Sequence, residues 1–349
     1  MKAINLKIVL LLLVAPLALM AGEHKGKYKK EKKINKSFNV ASDAALNVQN
    51  KYGNIYVTTW DKNQTTIDVT IKVSGNNEKK VEKTINGIDV DFYNSPESVT
   101  ARTKIDKLMN GTISIDINYT IKIPKNGSID LDNMYGGIQL SKINGKSRIR
   151  CKYGDLDIEE LRHTTNNIDI QYCDNSTIGF IKSGTVNVQY SELKIGKMEN
   201  AEVNSQYTDV SIGMAEDLRY RSDYGDVKIG STSSINGTST YSSLKVERVK
   251  KAFDVEVQYG DIKAGLEKTI KSVAVNSMYS DVVLNHARGT NFDFEFATQY
   301  GDVSGIKGFT ILSKEEKDFR NRYKGYHGSS GNARIYIKNS YGDIKLIEK

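Results

Sequence analysis

The chain has little of the chemistry that marks enzymes, metalloproteins and disulfide-rich secreted proteins. Its 349 residues include only 3 prolines, 2 cysteines, 1 tryptophan and 4 histidines. The histidines are scattered, and none has the spacing of a metal site or of a general base beside a nucleophile. We therefore expect a non-catalytic protein with no metal, no cofactor and no catalytic residue.

Long apolar runs are also scarce. The prominent one extends from Ile8 to Met20, after two lysines and before the small residue Ala21. This pattern predicts a secretory signal peptide over residues 1–21, cleaved near Ala21. The run is too short to predict a membrane span, and the lack of a cysteine near Ala21 argues against a lipid-anchored lipoprotein. We expect an exported protein of the periplasm, or one associated with the outer membrane or cell surface.

Residues 22–37 are rich in lysine. Between Lys25 and Lys36 the only acidic residue is Glu31, which predicts a flexible basic arm. Such an arm could contact an anionic surface of lipid or polysaccharide by charge attraction. It could equally be a solvated leader that keeps the chain soluble. No nucleic-acid partner is expected.

Tyrosine, in contrast, is abundant and regularly placed. Most marker tyrosines precede a small residue, a short polar residue and an aliphatic one, and those from Tyr135 to Tyr300 are 17 to 21 residues apart. The markers are Tyr52, Tyr135, Tyr153, Tyr172, Tyr190, Tyr207, Tyr224, Tyr241, Tyr259, Tyr279, Tyr300 and Tyr341. Such a period is typical of a repeat protein in which one small unit stacks on its neighbours.

The residues before each tyrosine alternate between apolar and polar, as in a half-buried strand. In one unit Val255 and Val257 lead to Tyr259 on the same apolar face. The alternation changes phase after Gly260 and Asp261, which predicts a corner where glycine supplies a positive φ. Each unit then consists of strand, corner, strand and turn.

These patterns predict an all-β fold, a single elongated parallel β-helix (β-solenoid) with coils of about 17–21 residues. Residues two positions before the tyrosines form a small or β-branched interior column, and glutamines such as Gln189, one position before, form an outward one. One further predicted column contains Tyr190, Tyr207, Tyr224 and Tyr259. An antiparallel meander is the alternative, because Gly-Asp is also a hairpin turn signal.

An aspartate follows the small residue in most units, as in Asp155, Asp226 and Asp261. A recurring carboxylate could suggest calcium at the corners. Calcium-binding β-rolls, however, carry a glycine-rich nonapeptide that this sequence does not contain. We therefore predict that these aspartates are turn-forming residues.

The two cysteines do not predict a disulfide, even in an exported protein. Cys151 lies two residues before its tyrosine and Cys173 one residue after the next. This offset of three positions places the thiols on opposite faces, about 10 Å apart along a strand, whereas a disulfide needs Cα atoms within about 7 Å. We expect Cys151 to be a small core residue, Cys173 to replace glycine at a corner, and both to stay unpaired.

Residues 38–349 form one elongated domain in this interpretation. The section 38–133 has longer alternating strands, and the section 134–349 is the tyrosine-marked array. No linker rich in proline or glycine separates them.

The interval between Tyr300 and Tyr341 is twice the usual period and contains a basic, aromatic, glycine-bearing segment. Interleaved basic and aromatic side chains can stack on sugar rings or bases and hold anions. The candidate binding residues in this predicted loop are Arg320, Arg322, Tyr323, Lys324, Tyr326 and His327. The alternative is an irregular crossover that covers the last coils.

The order of motifs along the chain resembles the bacterial adhesin family of β-strand-repeat domains, which is related to the head domains of autotransporter-like adhesins. The motifs are Gly53-Asn54-Ile55-Tyr56-Val57, Tyr119-Thr120-Ile121-Lys122-Ile123-Pro124 and Gly137-Ile138-Gln139-Leu140. The resemblance implies a right-handed parallel β-helix in an exported protein, commonly from Bacteroidota. It implies no catalytic residues.

Two function classes follow. The first is an exported, adhesin-like binding or scaffolding protein of the bacterial cell envelope, with a glycan or another envelope component as its partner. The second is a polysaccharide-acting enzyme on a β-helix scaffold, which would need paired carboxyl groups in a cleft. The repeated aspartates sit at corners and the outward glutamines are neutral, so the sequence favours binding or scaffolding.

Overall fold

The computed structural model describes residues 26–106 and 113–349, so the predicted signal peptide lies outside the described residues. Within these ranges the protein consists of 26 strands in one sheet and one helix. The all-β prediction is therefore confirmed. The helix in this part of the chain is not long and apolar enough to cross a membrane.

Seven strands and the helix precede the regular array. They are β1 (Tyr28–Asn39), β2 (Ala45–Lys51), β3 (Ile55–Trp60), β4 (Gln64–Gly75), α1 (Glu78–Asn86), β5 (Ile88–Ser95), β6 (Ser98–Ile105) and β7 (Ile113–Pro124). β2 and β3 flank Tyr52 and form the first tyrosine-marked coil. β1, β4 and β7 have 12 residues each and form an antiparallel group beside it.

The remaining strands build the array. Short strands flank the next tyrosines: β8 (Ile129–Met134), β9 (Ile138–Ile143), β10 (Ser147–Lys152), β11 (Leu156–Leu161) and β12 (Asn166–Gln171). Longer strands then extend from one corner to the next: β13 (Ser176–Gln189), β14 (Glu192–Gln206), β15 (Asp209–Asp223), β16 (Val227–Thr240) and β17 (Leu244–Gln258). The last are β18 (Ile262–Leu266), β19 (Ser272–Met278), β20 (Val282–His286), β21 (Phe292–Gln299), β22 (Val303–Ser304), β23 (Thr310–Lys317), β24 (Arg320–His327), β25 (Ala333–Ser340) and β26 (Ile344–Glu348).

Successive coils pair in parallel along two ladders. On the first ladder, formed by strands before the tyrosines, Ile149 of β10 lies beside Ile168 of β12, and Ile168 beside Val186 of β13. On the second ladder, formed by strands after the tyrosines, Leu156 of β11 lies beside Ser176 of β13. This in-register parallel pairing means that the antiparallel meander is wrong for the array.

The core consists of columns of aliphatic side chains. In β17, Phe253, Val255 and Val257 are buried, whereas Asp254 and Glu256 between them are exposed. This alternation repeats in neighbouring coils, so each apolar side chain packs against an equivalent one about 4.8 Å away. One coil cannot bury its apolar face alone, and stacking supplies the missing contacts.

The last coil in the sequence is not the last in the stack. β25 pairs with β19 on one side and with β21 on the other, and β26 pairs with β20 and β22. The coil around Tyr341 therefore lies between the coils around Tyr279 and Tyr300. The long interval in the tyrosine period contains the segment by which the chain reverses and returns.

The prediction of a flexible basic arm is wrong for residues 28–37, because they belong to β1. Over its whole length this strand pairs antiparallel with β4, from Tyr28 opposite Gly75 to Asn39 opposite Gln64. Ile34 and Phe38 of this strand pack against the core. The backbone pairing and these apolar contacts order a segment that its charge alone suggested was solvated.

The helix α1 closes the side of the antiparallel group. Asn77 caps its first turn by accepting a hydrogen bond from the Lys80 backbone N–H. Val81 and Ile85, four residues apart, are its buried side chains, and the helix packs on β4 and β1.

Candidate binding surfaces

The marker tyrosines form one stacked ladder on the surface. Neighbouring ring centroids are 4.6 to 5.4 Å apart with interplanar angles of 2° to 12°. The predicted column of Tyr190, Tyr207, Tyr224 and Tyr259 is confirmed. The order at the C-terminal end is Tyr279, Tyr341, Tyr300 and then Phe319, as the inserted coil requires.

The sequence predicts that the tyrosines lie on the core face of their strands, and this prediction is wrong. All twelve have a positive φ between 50° and 65°, which turns each side chain out of the alternation. From Tyr135 onward they are 40% to 49% exposed, whereas the residues two positions earlier, such as Cys151 and Ile170, are buried. Since each inner ring is covered on both faces, the ladder presents ring edges and hydroxyl groups to solvent.

The glycine after the tyrosine allows the backbones of neighbouring coils to approach closely, and it is not there to supply a positive φ. A Cβ atom on Gly154 would lie 2.2 Å from the backbone oxygen of Gly136, and one on Gly225 would lie 2.1 Å from that of Thr208. The left-handed conformation belongs instead to the preceding tyrosine. The predicted role of glycine at these corners is thus corrected.

The corner aspartates hold neighbouring coils together. Asp209 Oδ1 accepts a hydrogen bond from the Asp226 backbone N–H at 2.9 Å, and Asp226 Oδ1 accepts one from Ser243 at 3.1 Å. Asp261 and Asp281 repeat the contact at 3.0 Å. The carboxylates are therefore structural residues of the corners, as predicted. The backbone N–H groups that donate to them belong to the next coil. Within residues 26–106 and 113–349 no group of three or more potential ligands could hold a metal.

Cys151 and Cys173 are both buried and free, but they are not far apart. Cys173 Sγ lies 3.5 Å from the Cys151 carbonyl oxygen and 3.2 Å from that of Gln171. The hydrogen bond with Cys173, together with burial, raises the pKa of the Cys151 thiol. The separation of about 10 Å expected from strand geometry is wrong, because the left-handed Tyr172 bends the chain between the two positions.

The predicted binding loop is a β-hairpin. β24 pairs antiparallel with β21 on one side and with β23 on the other, so its side chains alternate between two faces. Arg320, Arg322, Lys324 and Tyr326 lie on one face, and Tyr323 and His327 on the other. The Tyr323 hydroxyl donates to Glu316, and the His327 ring packs on Phe292. The six residues therefore do not form one surface.

Two of the four residues on the outer face are neutralised within the protein. Arg322 and Lys324 both form ion pairs with Glu295, the second at 3.3 Å. Partial burial pushes the pKa of Glu295 upward, but the bonds from Arg322 and Lys324 outweigh burial and hold it below its usual value. Arg320 has no such carboxylate partner in the part of the chain that the structure describes.

Arg320 borders a cleft of about 790 Å³ at the end of the tyrosine ladder. Ala297 and Ser340 line its floor, where the small side chains leave space. Ala297 lies beside Arg322 on one strand and beside Lys338 on the other, so these cations are about 10 Å apart between backbones. Other lining residues are Tyr300, Lys317 and Phe319, and the carboxylates Glu315 and Asp318.

Sequence reasoning missed Lys338 and the small residues Ala297 and Ser340 of this cleft, and it did not include Lys317 among the candidate binding residues. Lys338 lies in β25, outside the basic and aromatic segment that the sequence marks. Only the pairing of β25 with β21 brings Lys338 to Ala297.

A family model described as Toastrack DUF4097 matches residues 46–347 of the chain. No curated protein matches the chain. Among solved structures, a "putative cell adhesion protein" from Clostridium sporogenes is 12% identical, with 92% of this chain and 100% of that one covered and a TM-score of 0.19. A "putative adhesin" from Bacteroides fragilis is 14% identical, with 90% and 97% covered and a TM-score of 0.24. A "putative lipid binding protein" from Parabacteroides distasonis is 8% identical, with 90% and 96% covered and a TM-score of 0.33.

Proposed function

The chain belongs to the Toastrack DUF4097 family, and we propose that it is an exported, non-catalytic, adhesin-like protein that binds an acidic component of the bacterial cell envelope. Its scaffold, in this proposal, is a parallel β-helix. Two parallel ladders that meet at each tyrosine corner support that interpretation.

The cationic cleft is the observation that carries the binding proposal. Lys317, Arg320 and Lys338 have no ion-pair partner among the described residues, and all three are exposed. Lys317 and Arg320 are directly opposite each other on paired strands. Together with Arg322, these cations outnumber Glu315 and Asp318, the two carboxylates that line the cleft, and this excess of positive charge favours an anionic group there.

The end of the tyrosine ladder adds an aromatic wall. Phe319 stacks on Tyr300 at 4.9 Å and is 64% exposed, so one face of its ring has no aromatic neighbour in the part of the chain described. Such a face beside cations suits an anionic sugar, whose ring can pack on the phenyl group while its carboxylate or sulfate meets Arg320.

A binding role is also favoured by how the protein uses its recurring carboxylates. Asp209, Asp226 and Asp261 accept backbone hydrogen bonds from adjacent coils, so they are committed to structure. A glycoside hydrolase needs one carboxyl group to donate a proton and another to act as nucleophile or base. We therefore propose a non-catalytic role in preference to the polysaccharide-acting enzyme.

The proposal is tested with the double variant Arg320→Gln/Lys338→Gln. Binding to polygalacturonate, measured by biolayer interferometry, should weaken at least tenfold, because two of the unpaired cations are lost. Thermal unfolding should be nearly unchanged, since exposed substitutions usually alter stability by no more than about 0.5 kcal/mol. Binding by the parent should fall as salt is raised.

Lys228→Gln/Lys263→Gln is the matched control, because it removes the same charge from exposed positions of the second ladder. It should bind like the parent. Equal losses of polygalacturonate binding in the two double variants would show non-specific charge attraction and contradict the proposed binding site in the cleft. Vesicles of anionic phospholipid serve as a second probe, and preference for them over polygalacturonate would reassign the ligand to lipid.

A further inference from the structure

Tyr56 differs from every tyrosine of the ladder. It lies in β3, is 38% exposed, and has no aromatic ring or cation stacked on it in the described part of the chain. Its hydroxyl accepts a hydrogen bond from Asn54 Nδ2 at 3.0 Å, which limits rotation of the side chain. Tyr56 therefore offers an oriented and uncovered ring face, whereas the ladder tyrosines are covered by their neighbours.

A row of polar side chains continues from Tyr56 across the second strand ladder, which is formed by the strands after the marker tyrosines. Tyr56 lies beside Gln139, Gln139 beside Asp157, and Asp157 beside Thr177. Thr177 in turn lies beside Lys194. At about 4.8 Å per strand this row is about 19 Å long, and it crosses five coils.

The row borders a groove of about 660 Å³. The small residues Ser141 and Gly179 line it, and the Ser141 hydroxyl is buried without a hydrogen-bond partner in the described residues. A Cβ atom on Gly179 would lie 2.5 Å from the Glu159 backbone oxygen, so the close approach of the two coils requires glycine at this position.

Two of the three charged residues that line the groove are compensated within the protein. Lys194 pairs with Glu192 at 2.7 Å, and Glu159 pairs with Lys142 at 3.3 Å. Asp157 accepts hydrogen bonds from Thr177 at 2.7 Å and from Gln139 at 3.4 Å. Asp157 has no ion-pair partner among the described residues, and these contacts hold its carboxylate as a fixed acceptor beside the Gln139 amide.

We propose that this groove binds a linear, uncharged oligosaccharide. One pyranose ring packs its C–H face on Tyr56, and the hydroxyl groups of the following rings bond to Gln139 and Asp157. An oriented aromatic face beside a few fixed polar groups is the usual composition of a small-molecule site, and hydroxyl groups both donate to carboxylates and accept from amides. The proposal does not depend on the acidic ligand of the cleft.

The test measures binding of cellohexaose, chitohexaose, maltohexaose, xylohexaose and mannohexaose to the full mature chain by isothermal titration calorimetry. We expect at least one of them to bind. Tyr56→Ala should weaken that binding at least tenfold, because the ring platform is lost, whereas Tyr56→Phe should retain most of it. Asp157→Asn should weaken it less than Tyr56→Ala.

The matched control is Tyr93→Ala, which removes another exposed ring, 60% exposed in β5, that lies outside the groove. It should bind the sugar like the parent, and so should Arg320→Gln/Lys338→Gln. Absence of binding by all five hexasaccharides would overturn the proposal. So would binding that Tyr56→Ala leaves intact, or binding that the cleft variant abolishes; the second outcome would place the sugar in the cleft.

Discussion

Each marker tyrosine combines an unfavourable backbone with favourable ring contacts. A non-glycine residue in the left-handed region costs on the order of 1–3 kcal/mol, and all twelve tyrosines have that conformation. Each inner ring stacks on two neighbours, and an aromatic pair contributes about 0.5–1.5 kcal/mol beyond its buried area. The ladder therefore offsets the strain that its own geometry creates.

Substitution of Tyr224 separates the two contributions. Tyr224→Ala should lower the free energy of unfolding by about 1–3 kcal/mol, since it removes two stacking contacts but keeps a Cβ atom in the left-handed conformation. Tyr224→Gly should be less destabilising than Tyr224→Ala, because glycine adopts a positive φ without that strain. Urea unfolding followed by circular dichroism measures both.

Tyr93→Ala is the control for this comparison, because Tyr93 is exposed outside the ladder. It should change the stability by no more than about 0.5 kcal/mol. If alanine and glycine at position 224 were equally destabilising, the backbone strain assigned to the tyrosine would be wrong.

At the scale of single elements, β1 and the β23–β24 hairpin show how a charged segment can be ordered by its neighbours. Lys32 of β1 bonds to Asp89 at 3.1 Å, and Ile34 packs on the core. A charge run is typical of a solvated arm only when no strand edge is available to pair with it. β4 supplies that edge for β1, and β21 supplies it for β24.

The end of β20 contains a histidine that should make stability depend on pH. His286 is buried against Phe292, Phe309 and His327. Burial, together with the neighbouring His327, lowers the pKa of His286 below its usual 6.5, and the Ala287 backbone and Glu348 oppose the shift only in part. The folded protein therefore takes up this proton less readily than the unfolded chain.

The free energy of unfolding should accordingly fall as the pH drops below about 6.5, and should level off once folded His286 is also protonated. His286→Phe should flatten this dependence, because phenylalanine does not titrate. His163→Phe, at a half-buried position far from His286 in the chain, should leave it unchanged. Thermal unfolding between about pH 5 and pH 8 checks the prediction, and a slope that persists in His286→Phe would contradict it.

At the scale of the whole molecule, the inserted C-terminal coil connects two parts of the stack. β25 is the parallel neighbour of both β19 and β21. β21 has no direct pairing with β19, and its other partner is the hairpin strand β24. The coil around Tyr300 and the hairpin therefore depend on a segment that is synthesised after them.

Removal of residues 333–349 tests this dependence. Native-state hydrogen exchange should show lost protection in β21 and β24, because their link to the stack is gone, while β10 to β17 stay protected. Repeat proteins allow such local loss, since each unit contacts only its neighbours. Protection of β21 equal to that in the full chain would show that the coil docks without its inserted neighbour.

The sequence by itself determined the repeat, the all-β class and the tyrosine column. These properties depend on local alternation and on a nearly constant interval, and equal intervals bring equivalent residues together in any in-register stack. The same reasoning identified Arg320 as a binding candidate, because a basic and aromatic segment interrupts the period.

Only the tertiary structure decided which way the tyrosines point, which coil lies beside which, and which cations are free. One left-handed residue at Tyr172 brings Cys173 to Cys151, and the pairing of β21 with β24 and β25 places Arg322 and Lys338 on either side of Ala297. Arg322 itself is neutralised by Glu295, 27 residues away in the chain. Such contacts depend on pairing between distant strands, and a reading based on period and alternation treats every coil as following the one before it.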